Sequence, residues 1–283
     1  MSEFDAWIGR EMHATDRLDE GLAARWLATF DRDMPEPAIM PQGIHFALCP
    51  PQAPSYRLGE DGHPERDRTG AGFLPPFPMP RRMWASSAME FLAPLAVGSA
   101  IERTSRVASI REKEGSSGKL AFVNVEHETH ADGALCVRET QTLVYRDAAP
   151  HNAPLSPPER GDGWFDFTKW DAMITLTPDP RLLFRYSALT FNTHRIHYDA
   201  PYARGVERYR GLVVHGPLTA SLMLQLAARE LGANTVQRFE FRGVSPAIAD
   251  EKLHIALRKD DEGYALGAFA EDAREVMTAK VFT

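Results

Sequence analysis

The pattern of apolar positions predicts two helices of different character. Residues 16–30, "DRLDEGLAARWLATF", carry large apolar side chains at every fourth position, the stripe of an amphipathic helix: Leu18, Leu22, Trp26 and Phe30. Thr15 or Asp16 is its predicted N-cap. Residues 217–231, "PLTASLMLQLAAREL", begin with proline, precede Gly232 and are apolar almost all round. The pattern therefore predicts a second helix that other elements bury.

Segments rich in β-branched and aromatic residues surround the second helix and fill the middle of the chain. "IERTSRVASI", "LAFVNVEHETH" and "ALCVRETQTLVYR" precede it, with "ADG" as a tight turn between the last two. "VQRFEFR", "KLHIALRK", "YALGAFAE" and "EVMTAKVF" follow it. A buried helix followed by a wrapping antiparallel sheet is the hotdog arrangement.

Two irregular stretches divide the chain. Prolines crowd residues 34–80, and "PPFPMP" excludes a long helix or a central strand there. A Pro- and Asp-rich linker at 147–163 predicts a boundary between domains 1–150 and 151–283. "MEFLAPLAVGSAIE" and "FEFRGVSPAIADEKL" are similar, which suggests a duplicated unit. Because the proline-rich stretch stands where the second half has its helix, we expect the first half's central helix to be short or missing, leaving an open groove.

The composition and charge of the chain argue against a nucleic-acid-binding protein and against a membrane-spanning one. The 283 residues carry a net charge of −7, which disfavours nucleic acid as a partner. No apolar run reaches the ~20 residues of a membrane span, and the acidic N-terminus resembles no targeting signal. Cys49 and Cys136 have no metal or redox spacing and are predicted to be small buried side chains. We expect a cytoplasmic protein without a membrane partner.

The stretch "TFNTHRIHYD" and the following "HGP" hold the candidate chemistry. A neutral imidazole at His197 can take a proton from water, and an amide at Asn192 can orient that water. In a helical turn His194 shares a face with His197. Gly216 stands at the start of the buried helix, where free N–H groups and the positive dipole end form an oxyanion hole.

Other chemistries find less support. His194, His197, His215 and Asp199 are possible metal ligands, yet no H-x-x-x-H spacing or cysteine partner accompanies them. A GxSxG elbow, a P-loop and a dinucleotide fingerprint are absent from the sequence. We therefore predict neither a metal nor another cofactor. Six arginines are available for an anionic ligand: Arg81, Arg82, Arg195, Arg204, Arg208 and Arg210.

"YSALTFNTHRIHYDAPYA" and "GLVVHGPLTASLML" resemble the hydratase motif of the MaoC-like, R-specific enoyl-CoA hydratase superfamily. That motif has an Asp, an Asn two residues on, a catalytic His three further, and later a His-Gly pair that opens the hotdog helix. Asn192 falls at the Asp position, His194 at the Asn, His197 at the His and Gly216 at the glycine. "GFLPPFPMPRRMWASSAMEFLAPLAVG" and "RETQTLVYR" are similar to the N-terminal domain of one branch. That branch contains itaconyl-CoA and mesaconyl-CoA hydratases and 3-hydroxyacyl-thioester dehydratases.

The resemblance implies an α+β double hotdog with a single active site that takes an acyl-CoA. Residues 1–150 are then a non-catalytic, substrate-shaping domain, and residues 151–283 carry the motif. The implied catalytic residues are His197, Asn192 and Gly216, and the implied substrate-binding residues are His194, Arg195, His215, Arg82 and Trp84. Because an amide is no base, His197 must act alone. The resemblance also leaves room for a homodimer.

The function expected from these residues is reversible addition of water to a 2-enoyl-CoA. A short dicarboxylic acyl group, such as mesaconyl or itaconyl, is the expected substrate. Two alternatives stay open at this point: a hotdog thioesterase, in which water attacks the carbonyl, and a non-catalytic acyl-CoA-binding partner subunit.

Overall fold

The computed structural model describes residues 3–115 and 118–283. Its described part contains ten strands: β1 Glu11–Arg17, β2 Arg81–Phe91, β3 Ala100–Gly115, β4 Gly118–Ala131, β5 Ala134–Arg146, β6 Ala172–Leu176, β7 Arg238–Gly243, β8 Leu253–Asp260, β9 Gly263–Ala270 and β10 Glu275–Phe282. It also contains four α-helices: α1 Glu20–Thr29, α2 Pro180–Leu189, α3 Ala200–Gly205 and α4 Gly216–Leu231.

All ten strands join one sheet whose two halves repeat the same strand order. From its outer edge to the centre of the sheet, the first half has the order β1-β3-β4-β5-β2 and the second half has the order β6-β8-β9-β10-β7. Each strand of the first half therefore has a counterpart five strands later in the chain. The halves meet where β2 pairs antiparallel with β7, with Met89 opposite Phe239. The two similar sequence segments begin at these two residues, so the sequence similarity coincides with the structural repeat.

The second half wraps a buried helix, as predicted. Helix α4 packs against β6, β8 and β9, and Leu218, Met223 and Leu226 are almost wholly buried. The helix begins at Gly216, one residue before the predicted start, and ends before Gly232, which has a positive φ. A helix that is apolar on nearly every side is stable only inside such a sheet.

Among its described residues the first half has no counterpart of α4, which confirms the expected loss of its central helix. Helix α1 corresponds to α2 in chain order and packs against it. Residues 30–80 then contain only two short 3-10 turns, Ile44–Ala47 and Ser55–Arg57. Instead of a helix, the proline-rich stretch covers one face of the half-sheet by burying Phe77 and Met79.

The start of the first helix differs from the prediction. Residues up to Arg17 pair with β3 as the edge strand β1, so α1 begins only at Glu20. Its N-cap is Asp19, whose carboxylate accepts a hydrogen bond from the Leu22 N–H at 2.7 Å. Sheet pairing outweighs helix periodicity here because the strand saturates backbone groups that an isolated helical turn would leave exposed.

The structure also bears on the expectations about membrane-spanning helices and about the burial of the two cysteines. No helix in the described residues is both long and apolar enough to cross a membrane. Cys136 is buried, as predicted, whereas Cys49 is only partly buried.

Candidate functional site

A cavity of about 910 Å³ opens between the two halves of the sheet and is lined by both. It gathers seven of the eight predicted site residues: Arg82, Trp84, Asn192, His194, His197, His215 and Gly216. Because the described residues of the first half contain no central helix, the part of this sheet face that the proline-rich stretch leaves uncovered is open to a ligand. The predicted groove is thus present.

A sharp turn after α2 directs the hydratase segment into this cavity. The helix ends at Leu189 with Thr190 as its C-cap, and Phe191 adopts the left-handed region with φ 48°. The Asn192 N–H then donates to the Ser187 carbonyl at 2.9 Å and closes the helix end. A phenylalanine in this region is strained, a feature that clusters at functional sites.

His197 has a defined tautomer. It is the last residue of a 3-10 turn, Arg195–His197, and its Nδ1 lies 2.7 Å from the Val213 carbonyl oxygen. Because a carbonyl oxygen only accepts, Nδ1 carries the hydrogen and Nε2 keeps its lone pair. Burial lowers the pKa of His197 to about 4, so the ring is a neutral base at neutral pH.

Asn192 and His194 lie beside His197, but their polar atoms are partly engaged. The Asn192 Oδ1 accepts a hydrogen bond from the His194 N–H at 3.0 Å, which leaves the amide NH₂ for a ligand. The ring centroids of His194 and His197 are 5.5 Å apart, with the planes perpendicular. The pKa of His194 is lowered, chiefly by burial. The predicted grouping of these three residues is therefore present.

His215 and Gly216 form the start of α4 on the other side of His197. The His215 ring stacks on His197 with centroids 3.6 Å apart, and its Nε2 is 2.9 Å from the Ser187 hydroxyl. Gly216 is the first helical residue, where N–H groups have no acceptor within the helix. A Cβ built on Gly216 would have only Met277 nearby, at 4.0 Å. Glycine therefore leaves this N–H accessible.

The predicted substrate-binding residues of β2 line the cavity. The Trp84 indole N–H donates to the Ser87 hydroxyl at 2.8 Å, and its ring packs edge-on against Phe46. Arg82 makes no ion pair with any acidic side chain of the described ranges. Its guanidinium is thus available to an anionic ligand.

Arg195 does not line the cavity, contrary to the prediction. Its guanidinium bonds the Asp199 carboxylate at 2.8 Å and lies 4.0 Å over the Tyr202 ring. It also donates to the Glu60 carbonyl at 3.0 Å. These contacts join the Arg195 side chain to Asp199 and to the loop of Glu60.

Sequence reasoning missed His63, which lines the cavity, and Asp61, which is hydrogen-bonded to it. The His63 Nδ1 lies 2.8 Å from the Asp61 Oδ2, and the His63 ring is 4.1 Å from that of His194. The only sequence signal is "DGH" in a non-periodic loop. Within the described residues, ligand-type atoms of Asp61, His63 and His194 lie within 4.8 Å of one another. The carboxylate already accepts two hydrogen bonds from His63, which accounts for the cluster without an ion, so metal-free chemistry stays our prediction.

A second group of polar residues lies at the first half's side of the cavity. The Ser105 hydroxyl is 2.8 Å from Nδ1 of His127, and the Ser87 hydroxyl donates to Glu139 at 2.5 Å. The equivalent strands of the second half present apolar residues to α4, for example Ile255. Polar side chains on an inward sheet face predict that this end of the cavity receives a polar ligand or water.

Buried histidines should make the fold sensitive to acid. Burial is the main cause that lowers the pKa of His45 to about 3 and those of His127 and His197 to about 4. The unfolded chain takes up protons on these rings below about pH 6.5, whereas the folded chain does not. The free energy of unfolding should therefore fall by at least about 1 kcal/mol per pH unit as the pH drops from about 6.5 to 4.5. Urea unfolding across this range measures it. His127→Gln should reduce the slope, and a flat profile in the wild type would contradict the prediction.

Comparison with known proteins places the chain in a family. The family model for hydroxyacyl-thioester dehydratase type 2 matches residues 43–249. The mesaconyl-C(4)-CoA hydratase of Chloroflexus aurantiacus is 38% identical over 99% of this chain and 98% of its own. The crystal structure of HtdX from Mycobacterium tuberculosis superposes with a TM-score of 0.68 at 18% identity, covering 96% of this chain and 99% of that one. A conserved Mycobacterium tuberculosis protein with a double hotdog fold superposes with a TM-score of 0.54 at 17% identity, covering 97% and 95%.

The fold, a double hotdog of the α+β class, therefore agrees with the expectation from the sequence. The family model covers most of the cavity-lining residues of both halves, from the 3-10 turn at Ile44–Ala47 to β7 and the loop that follows it. The chain belongs to the hydroxyacyl-thioester dehydratase type 2 family.

Proposed function

We propose that this protein reversibly adds water to the double bond of a 2-enoyl-CoA thioester. The observation that carries the proposal is the position of His197, a neutral base with its Nε2 free, in the same cavity as the Gly216 N–H at the start of α4. One group can accept a proton from water and the other can stabilise an oxyanion. Hydration of a conjugated thioester needs these two functions.

The residues divide the reaction between them. The thioester oxygen accepts a hydrogen bond from the Gly216 N–H, which draws electron density from the double bond and stabilises the enolate-like charge. His197 removes a proton from the water that attacks Cβ. The Asn192 NH₂ group is positioned to hold that water, since its oxygen is occupied by the His194 N–H. A proton returned to Cα completes the product.

We propose that the substrate carries a free carboxylate that Arg82 binds. A mesaconyl group keeps one free carboxylate when its other carboxyl forms the thioester, and a relative of this chain is a mesaconyl-C(4)-CoA hydratase. Arg82 supports the assignment because it lines the cavity without an acidic partner in the described ranges. Mesaconyl-C4-CoA is thus the first substrate to test, with itaconyl-CoA as a second.

Arg82→Gln should change selectivity more than chemistry. Loss of a charge-assisted hydrogen bond of about 1.5–3 kcal/mol should lower kcat/KM for mesaconyl-C4-CoA by about 10–100-fold. Crotonyl-CoA, which has no carboxylate, should change by less than about threefold. Steady-state kinetics with both substrates measure the ratio, and Arg17→Gln on the exposed side of β1 is the matched control. Equal losses with both substrates would argue against carboxylate binding.

One assay separates the proposal from the two alternatives. Mesaconyl-C4-CoA and crotonyl-CoA are incubated with the protein while enoyl-thioester absorbance and free thiol are followed. Loss of absorbance without free thiol supports a hydratase. Release of thiol would show a thioesterase, and neither signal would leave a non-catalytic acyl-CoA-binding subunit.

We further propose residues 1–150 and 151–283 as two domains that share this one cavity. The support is that the sheet repeats its strand order across the linker and that both halves contribute lining residues. A homodimer and a cytoplasmic location stay predictions.

A further inference from the structure

We propose that His63, oriented by Asp61, is a second proton-transferring residue of this site and supplies the acid–base capacity that Asn192 lacks. The inference rests on the proposed hydration activity and extends it. It assigns chemistry to the first half of the chain, which the family resemblance implied to be non-catalytic. The pair would exchange the proton at Cα while His197 exchanges the proton of water.

The loop that bears the pair is fastened directly to the hydratase segment. The Arg195 N–H donates to the Asp61 carbonyl at 2.9 Å, and the Thr193 hydroxyl donates to the Gly62 carbonyl at 2.5 Å. A Cβ built on Gly62 would lie only 1.9 Å from the Thr193 carbonyl oxygen. These backbone contacts fasten residues 61–62, next to His63, to residues 193–195, next to His194.

Within this loop, Asp61 orients His63 through two hydrogen bonds. Its Oδ1 accepts from the His63 N–H at 3.0 Å, and its Oδ2 accepts from the ring Nδ1–H at 2.8 Å. His63 lines the cavity with its side chain 20% exposed, whereas Asp61 is not among the lining residues. Because the carboxylate is bonded to Nδ1, the other ring nitrogen, Nε2, is left for a ligand in the cavity. A carboxylate in this place orients the ring and stabilises its protonated form.

The two histidines differ in what supports their positive form. The Nδ1–H of His197 donates to a neutral carbonyl, but that of His63 donates to a carboxylate. The pKa of His63 is lowered overall, chiefly by burial and then by Arg82, and the Asp61 carboxylate opposes that lowering by stabilising the protonated ring. A substrate carboxylate bound to Arg82 would offset the Arg82 effect and favour protonated His63. The charged and titratable groups that act on His63 are Asp61, Arg66, Arg82, His194 and His197.

The proposed step balances without a cofactor. In hydration, His197 Nε2 takes a proton from water as the water oxygen bonds to Cβ, and the π electron pair moves onto the thioester oxygen at Gly216. The enolate pair then forms the Cα–H bond with the Nε2 proton of the His63 imidazolium, which becomes neutral. In dehydration, neutral His63 removes the Cα proton and protonated His197 gives its proton to the leaving hydroxyl. After hydration His197 loses one proton to solvent and His63 gains one, and after dehydration the two exchanges with solvent are reversed.

The central test compares His63→Gln with His13→Gln, a matched change at a histidine whose side chain is 69% exposed on β1. His63→Gln should lower kcat for mesaconyl-C4-CoA hydration by about 10²–10⁴ with little change in KM. It should also slow incorporation of solvent deuterium at Cα of the hydrated product. Dehydration of the Cα-deuterated product should show a larger primary isotope effect than in the wild type, because Cα–H cleavage becomes slower. His13→Gln should match the wild type in all three measurements.

Further variants guard against a merely structural effect. Asp61→Asn should cost less than His63→Gln, and added imidazole should restore part of the activity of His63→Ala. Thermal unfolding by circular dichroism checks that each variant is folded. A folded His63→Gln with kcat within about threefold of the wild type would overturn the inference, since general acid–base loss is far larger. Activity lost to a chelator and restored by Zn²⁺ would overturn it too, because the cluster would then hold a metal.

Failure here is distinguishable from failure of the proposed function. If the wild type hydrates mesaconyl-C4-CoA, His197→Ala is inactive and His63→Gln keeps the wild-type kcat, only the proposed role of His63 is wrong. If the wild type hydrates neither enoyl-CoA, the proposed function itself falls and this inference with it.

Discussion

Replacing His197 by alanine is expected to lower kcat for enoyl-CoA hydration by about 10²–10⁴, the usual cost of losing a general base. The reason is geometric: the Val213 carbonyl fixes the hydrogen on Nδ1, and stacking on His215 at 3.6 Å fixes the ring plane. Nε2 therefore has one orientation in the cavity. Solvent water is a far weaker base than imidazole and cannot take over the role of His197.

Steady-state kinetics with mesaconyl-C4-CoA or crotonyl-CoA measure this effect, with His13→Ala as the exposed control. Circular dichroism establishes that the variant is folded. A folded His197→Ala enzyme with near-native kcat would mean that another residue is the base, and His63 or His194 would then be the candidate.

The pH dependence follows from the same environment. Burial lowers the pKa of His197 to about 4, so the base form is present above that pH and is lost as the pH falls through it. The kcat/KM profile for crotonyl-CoA should therefore stay flat on its acid side until about pH 4–5, well below the value of about 6.5 for an exposed histidine. An acid limb near pH 6.5 would contradict a buried neutral base. Because the fold itself weakens at low pH, each point needs a parallel measurement of folded fraction.

Replacing Gly62 by alanine should be the most disruptive single methyl addition in the first half of the chain. Gly62 has φ +87°, and a Cβ there would lie 1.9 Å from the Thr193 carbonyl oxygen, a backbone atom that a side-chain rotation cannot move away. The loop must separate from the hydratase segment or distort it. We expect a loss of about 3–4 kcal/mol in the free energy of unfolding, or a displaced loop, since buried strain of this kind lies at the upper end of single-residue effects.

Gly70 offers a matched control for that change. It has φ +86°, and a Cβ built on it meets nothing within 4 Å. Gly70→Ala should therefore cost only the left-handed backbone penalty of about 1–2 kcal/mol and leave kcat unchanged. Urea unfolding and hydration kinetics of both variants separate the two contributions. Equal effects at the two glycines would show that the contact with Thr193 does not matter.

Much of the fold was predictable because the spacing of apolar residues along the sequence indicates which face of each helix or strand is buried. The apolar circumference of residues 217–231 identified α4, and the β-branched segments identified the long strands β3, β4 and β5. The proline density of residues 75–80 correctly indicated that no central helix stands there. These patterns depend only on which face of an element is buried, and neighbouring residues in sequence carry that information.

The sequence also determined part of the site. "FNTHRIH" and "HGP" predicted that His197, Asn192 and Gly216 belong together, and the structure brings them to one cavity. Tertiary structure alone decided the rest. Thr193 and Gly62 are joined by a hydrogen bond across 131 residues, and no local pattern encodes which loop will meet which segment. That contact places Asp61 and His63 beside His194. Arg195, in contrast, pairs with Asp199 and does not line the cavity. The sequence by itself thus determined which elements form and which motif they carry, and only three-dimensional packing decided which charged groups face the substrate, because their partners come from distant parts of the chain.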